Sequence, residues 1–220
     1  MLGDPICSMS VNKLQDSLRA INDELRGTEE RRERLLKTTR DIVSICSKSI
    51  VDLHYGRKQE AKIKLTEANK MLVEFRYHSR NDLQKYLLLP EQEYVEASLL
   101  MSIVENSEIP GVSDLGVTGA AYTLGALDCV GEIKRIIYDR IRRDMSEDAQ
   151  MHFNFMEHLY SLVYPLAIYD NLVGGLKRKL DIAKVLIEDV RVLLTEESRR
   201  ENMIRAIERL EKRIIDAKNE

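Results

Sequence analysis

At 220 residues, with 10 Gly, 4 Pro, no Trp and 32% charged side chains, the chain has the composition of an all-α protein able to bury a sizeable core. A net charge of −3 excludes a uniformly basic nucleic-acid coat, though not a basic patch. Cys7, Cys46 and Cys129 are odd in number, far apart and in no ligand-like spacing, so they read as reduced apolar residues of a cytoplasmic protein. No apolar run approaches membrane-spanning length, and the N-terminus lacks a signal-like segment.

In chain order, the periodicity predicts a helix from about Ser10 to His54, with Leu14, Leu18, Ile21 and Leu25 as early apolar positions and Gly27-Thr28 as a candidate kink. A helix so long outreaches one small core, so part of it is expected to pack on another subunit. Gly56 ends it. A second helix runs from about Arg57 to Tyr77, and a third begins near Asp82, is interrupted at Pro90 and resumes from Glu93 to Glu105. The stretch 106–119, with Pro110, Gly111, Gly116 and Gly119, reads as a loop. The next helix, Ala120 to about Arg143, carries Gly125, Ala126 and Gly131, small residues that let a neighbour approach closely. Ser146 opens a further helix that breaks at Pro165. Two more follow, Leu172–Leu194 and Glu197–Asn219, with Thr195 as cap. Met203, Ile207, Leu210 and Ile214 make the last an expected antiparallel partner of the one before it. The whole is read as one domain over residues 1–220, an elongated antiparallel bundle of about seven helices, with 196–220 as an extra C-terminal helix.

Two acidic runs carry the chemistry. Glu93 and Glu96 stand three apart, Asp128 and Glu132 four apart, so each pair shares a helix face beside apolar residues. Four converging carboxylates would form an oxygen-only cage suited to Mg²⁺ or Mn²⁺. Spacing alone favours the blander reading for Glu93 and Glu96, acids near a helix start. Asp128 and Glu132 lie in mid-helix with no lysine or arginine one turn before them. None of the four histidines follows a Glu by three residues, which argues against a di-iron bundle, and His54, His152 and His158 read as structural. No phosphate loop, nucleophile elbow or zinc spacing is present. Arg76, His78, Arg80 and Lys85, with Tyr77 among them, form a basic cluster. It reads equally as a cation-rich helix C-terminus or as a phosphate-binding patch with a stacking aromatic.

Several stretches resemble the translin and translin-associated factor X (Trax) family. Residues 30–42 look like the first helix of Trax, Gln92-Glu93-Tyr94-Val95-Glu96-Ala97 matches its QEYVEA stretch, and residues 124–132 are similar to its LGVADLTGE stretch. Arg76-Tyr77-His78 resembles the Arg-Phe-His of the translin nucleic-acid-binding segment, and the similarity spans about residues 29 to 194. The resemblance implies a closed hollow octamer that binds single-stranded RNA and DNA. For a Trax-like member it implies an Mg²⁺-dependent endoribonuclease with metal-binding acids at Glu93, Glu96, Asp128 and Glu132. Arg76, His78, Arg80 and Lys85 would then hold the RNA backbone. The chain either self-assembles or takes a translin-type partner. The rival is a non-catalytic nucleic-acid-binding scaffold of translin type. Two departures stand: the segment after Thr195 has no counterpart, and the chain is shorter between the acidic runs than animal Trax.

Overall fold

The computed structural model describes residues 5–79 and 81–219, with side chains taken at 11–79 and 83–217. Helix α1, Pro5–His54, runs unbroken for 50 residues, about 75 Å at 1.5 Å per residue, with no interruption at Gly27. Among the described residues its first buried side chain is Leu35, 2% exposed, followed by Ile42, Cys46, Ile50 and Leu53. Val11, Leu14, Leu18, Ile21 and Leu25 are all exposed, so the N-terminal half projects beyond the bundle. Gly56, at φ +74°, makes the left-handed turn into α2, Lys58–His78, which packs back on α1 through Ala61, Leu65, Ala68, Leu72 and Phe75.

A 3₁₀ stretch, Asn81–Leu87, continues directly into α3, Leu88–Glu105. Pro90 therefore sits in the first turn of α3, where the donor it lacks has no helical partner in any case. The predicted loop contains one helical turn, α4, Val112–Leu115. Helix α5, Gly119–Ile141, is capped by Thr118, whose Oγ1 accepts from the Ala121 amide at 3.3 Å. Helix α6, Ser146–Val163, gives way at Pro165 to a 3₁₀ segment, Tyr164–Tyr169. Gly175, at φ +87°, precedes α7, Leu176–Asn219. Helices α3 and α5 form the centre: α3 packs on α1, α2 and α5, and α5 on α3, α6 and α7.

The C-terminus differs from expectation. One continuous 44-residue helix replaces the predicted antiparallel pair. Residues 176–219 contain neither Gly nor Pro, and Thr195 Oγ1 donates to the Arg191 carbonyl one turn back at 2.8 Å, bonding within the helix instead of capping a new one. Pairs such as Arg199–Glu196 and Arg200–Glu197 carry the helix through. Met203, Ile207, Leu210 and Ile214 are exposed. Among the described residues no helix is long and apolar enough to cross a membrane.

Candidate active site

The crossing of α3 and α5 brings the acidic runs together. A Cβ on Gly125 would lie 2.5 Å from the Gln92 carbonyl oxygen and 2.8 Å from Val95 Cβ, so only glycine lets the two helices meet this closely. Gln92 and Val95 interleave with Glu93 and Glu96, and Asp128 follows Gly125 by one turn. The expectation of small residues at a close approach therefore holds at Gly125. It does not hold at Gly131, whose added Cβ would find only Leu186 Cδ1, at 3.9 Å.

The electrostatics report the convergence. Burial pushes Glu96 up to about 8, and Asp128, Glu93 and Glu132 add to the rise, with Lys179 opposing it. Glu93 is raised by burial and by Asp128, again against Lys179. Two thiols border the acids. Cys46 of α1 is raised to about 12, by burial first and then by Glu93 and Glu96, while Cys129 of α5 is raised by burial and by Glu96, Glu132 and Asp128. Both cysteines are free and buried, consistent with the reduced, apolar role expected of them.

Three further side chains complete the group. Lys179 of α7 pairs with Asp128 Oδ1, and Gln92 Nε2 donates to Asp128 Oδ2 at 2.6 Å. His54, at the end of α1 and with a side chain only 4% exposed, bonds Glu132 Oε2 through Nε2. Asp128 and Glu132 are thus turned toward these partners. Among the described residues no three His, Cys, Asp or Glu side chains stand ready to hold a metal ion as they are placed. The donor chemistry nevertheless suits a hard divalent cation: all four acids supply oxygen, and their mutual repulsion at Glu96 is what such a charge would relieve.

The basic cluster is organised differently. Arg76 turns inward, its Nε donating to Glu91 Oε1 at 2.8 Å, and Glu91 is 1% exposed. The other oxygen of Glu91 accepts from the Thr118 amide at 2.9 Å, so this pair ties the end of α2 to the starts of α3 and α5. Helix α3 turns about 100° per residue, so Glu91 faces away from Glu93 and Glu96. Arg76 Nε is therefore engaged in the fold, on the side of α3 turned away from the acids, while its Nη2 is buried without a partner. His78 is half-buried, its ring edge-on to Tyr77 at 5.2 Å. Lys85 is exposed, its Nζ 5.5 Å from the centre of the Tyr86 ring. Arg80 lies outside the described residues.

No family model matches the chain. The uncharacterized protein MJ0175 of Methanocaldococcus jannaschii is 30% identical over 176 residues, 79% of each chain. The chain belongs to the same family as MJ0175. Among solved structures, it is similar to AfC3PO bound to duplex RNA, with 27% identity, a TM-score of 0.75 and coverage of 83% of this chain and 96% of that one. A crystal structure of AfC3PO alone gives 28% identity, the same TM-score of 0.75, and coverage of 83% and 97%. Apo-NeC3PO, at 21% identity and a TM-score of 0.73 over 82% and 96% of the two chains, supports the fold alone. These C3PO structures are of translin/Trax type, so the translin-type all-α fold expected from the residues holds for this member of the MJ0175 family.

Proposed function

We propose that this protein is a Trax-like, Mg²⁺-dependent endoribonuclease acting on single-stranded RNA within a hollow homo-octamer in the cytoplasm. The observation that carries the reading is the approach of α3 to α5 at Gly125, which sets Glu93, Asp128 and Glu132 near enough to Glu96 to add to the burial that raises it to about 8. The likeness to AfC3PO, seen with duplex RNA, supports nucleic-acid binding of translin type. In this reading Glu93, Glu96, Asp128 and Glu132 would hold one or two Mg²⁺ (or Mn²⁺), whose charge would supply Lewis-acid activation of a phosphodiester and of water.

The chain's own side chains do the positioning. Gln92 and Lys179 fix the rotamer of Asp128, and His54 fixes Glu132. Lys179 also places a positive charge beside acids that would otherwise repel a polyanion. Lys85 and His78, with Arg80, are proposed to touch the backbone of RNA, or of single-stranded DNA, away from the acids. The exposed apolar stripe of the α1 projection supports assembly, either with itself or with a translin-type partner.

One observation favours the second reading, a non-catalytic RNA-binding scaffold: Asp128 and Glu132 already have partners in Lys179 and His54. Incubating labelled single-stranded RNA with the protein, with and without Mg²⁺, separates the two. Cleavage that requires Mg²⁺ and stops in excess EDTA, leaving 5′-phosphate and 3′-hydroxyl ends, supports the nuclease. Binding without cleavage in Mg²⁺ or Mn²⁺ supports the scaffold. Light scattering that showed a stable monomer at micromolar concentration would remove the octamer.

A further inference from the structure

A second feature adjoins the acids on the far side of His54. A cleft of about 480 Å³ opens where the end of α1 and the start of α2 meet the C-terminal parts of α3 and α5 and the first turns of α6. Its volume falls in the range that holds a small ligand. The apolar part of its wall comes from Leu53, Ile103, Val104, Ile136 and Met151, and its cations are Lys58, Arg140 and Arg143. His54 lines the cleft and also bonds Glu132, so the cleft and the acidic group share a wall.

The charges of this cleft are incompletely matched. Asp139 is held at 2.8 Å by Arg142, while Asp148 stands 3.8 Å from Arg140 Nε, beyond hydrogen-bonding distance. Arg140 Nε is consequently a buried donor with no acceptor, a state that costs free energy unless something supplies one. Among the described residues Lys58 Nζ donates only to the Val104 carbonyl, at 2.9 Å, and Arg143 makes no ion pair. His152 Nδ1 donates to the Asp148 carbonyl at 2.7 Å, which leaves its Nε2 for a ligand. An apolar wall beside under-used guanidinium and ammonium groups suits a nucleotide, with base and ribose on the wall and phosphate on the cations.

We propose that this cleft holds the nucleotide flanking the scissile phosphodiester, with its phosphate on Arg140, Arg143 and Lys58. The proposal rests on the nuclease reading. It adds a backbone contact on the side of the molecule that shares His54 with the acids.

The test is binding of a fluorescently labelled oligouridylate to the intact protein in EDTA, so that no strand is cut. Arg143→Ala removes an exposed cation, and Met151→Trp narrows the cleft while keeping every charge; both residues are solvent-accessible, so neither change threatens folding. Each should weaken binding several-fold. Arg143→Ala should also flatten the log–log salt dependence by about 0.7, one phosphate contact on a single strand, whereas Met151→Trp should leave the slope unchanged. Arg209→Ala on the α7 projection, an equal loss of charge elsewhere, should bind as the wild type does. Wild-type affinity in both cleft variants would overturn the cleft and leave the nuclease reading standing. A wild-type protein that failed to bind RNA in EDTA and in Ca²⁺ alike would overturn both. Uridine monophosphate bound as tightly as the strand, and lost in the same variants, would assign the cleft to a free nucleotide and overturn the strand.

Discussion

Replacing Glu96 by glutamine should make the protein more stable in alkali and leave it unchanged in acid. Glu96 is raised from 4.5 to about 8 by burial and by Asp128, Glu93 and Glu132. Holding its ionised form in that place therefore costs roughly 5 kcal/mol relative to the unfolded chain. The folded state binds the extra proton between those two values, so stability falls as pH rises from about 4.5 to about 8 and is flat beyond. Glutamine keeps the volume and has no proton to lose, so its stability curve lacks this fall. Part of the cost is shed when neighbouring side chains relax, so the gain in alkali should be a few kcal/mol. For a chain of this length that is worth about 2–4 °C of Tm per kcal/mol. Thermal unfolding followed by circular dichroism at about pH 4 and about pH 9 reads it directly. Equal Tm differences at the two pH values would refute the electrostatic convergence of α3 and α5. So would a lower Tm for the variant in alkali. Under the proposed metal site, Mg²⁺ should raise the wild-type Tm more than that of Glu96→Gln.

The remaining predictions use the same geometry. Gly125→Ala places a methyl 2.5 Å from the Gln92 carbonyl and should cost about 1–3 kcal/mol by urea denaturation, whereas Gly131→Ala, with its nearest neighbour at 3.9 Å, should stabilise by up to about 1 kcal/mol. Arg76→Ala leaves Glu91 buried without its cation and should cost about 3–5 kcal/mol, much of it recovered in Arg76→Met/Glu91→Met; a binding defect with unchanged stability would return Arg76 to the RNA surface. Asp128→Asn and Glu93→Gln should abolish Mg²⁺-dependent cleavage while gel-shift affinity for RNA holds or rises, because less negative charge faces the phosphates. Loss of binding and cleavage together in folded variants would contradict that division of roles.

What the residues disclosed in advance was local. Gly56 and Pro165 mark helix boundaries because their conformational limits act within a few residues, and the acidic pairs share faces because helical spacing requires it. Thr195 misled because a hydroxyl that caps a helix can equally bond the carbonyl four residues back. With no glycine or proline from 176 to 219, nothing made the chain stop. Arg76 shows a different limit: a cation at a helix C-terminus satisfies the dipole, but its partner Glu91 lies fifteen residues on and is chosen by packing.

Lys179 and His54 are the instructive omissions. Lys179 lies three residues after Leu176 and four before Ala183, both buried, and so falls within the core-facing stripe of α7. His54 continues the stripe of Cys46 and Ile50 on α1 in steps of four. A polar side chain in such a stripe is costly to bury alone, so its presence there implies a partner of opposite charge on the helix it faces. Read that way, the stripes called for an acid opposite each of these residues, and the apolar sequence around Asp128 and Glu132 called for cations in return. The particular pairing, Lys179 with Asp128 and His54 with Glu132, follows only from how α7 and α1 lie against α5. The sequence therefore exposes the unmatched charges on both sides, and tertiary packing decides which of them meet.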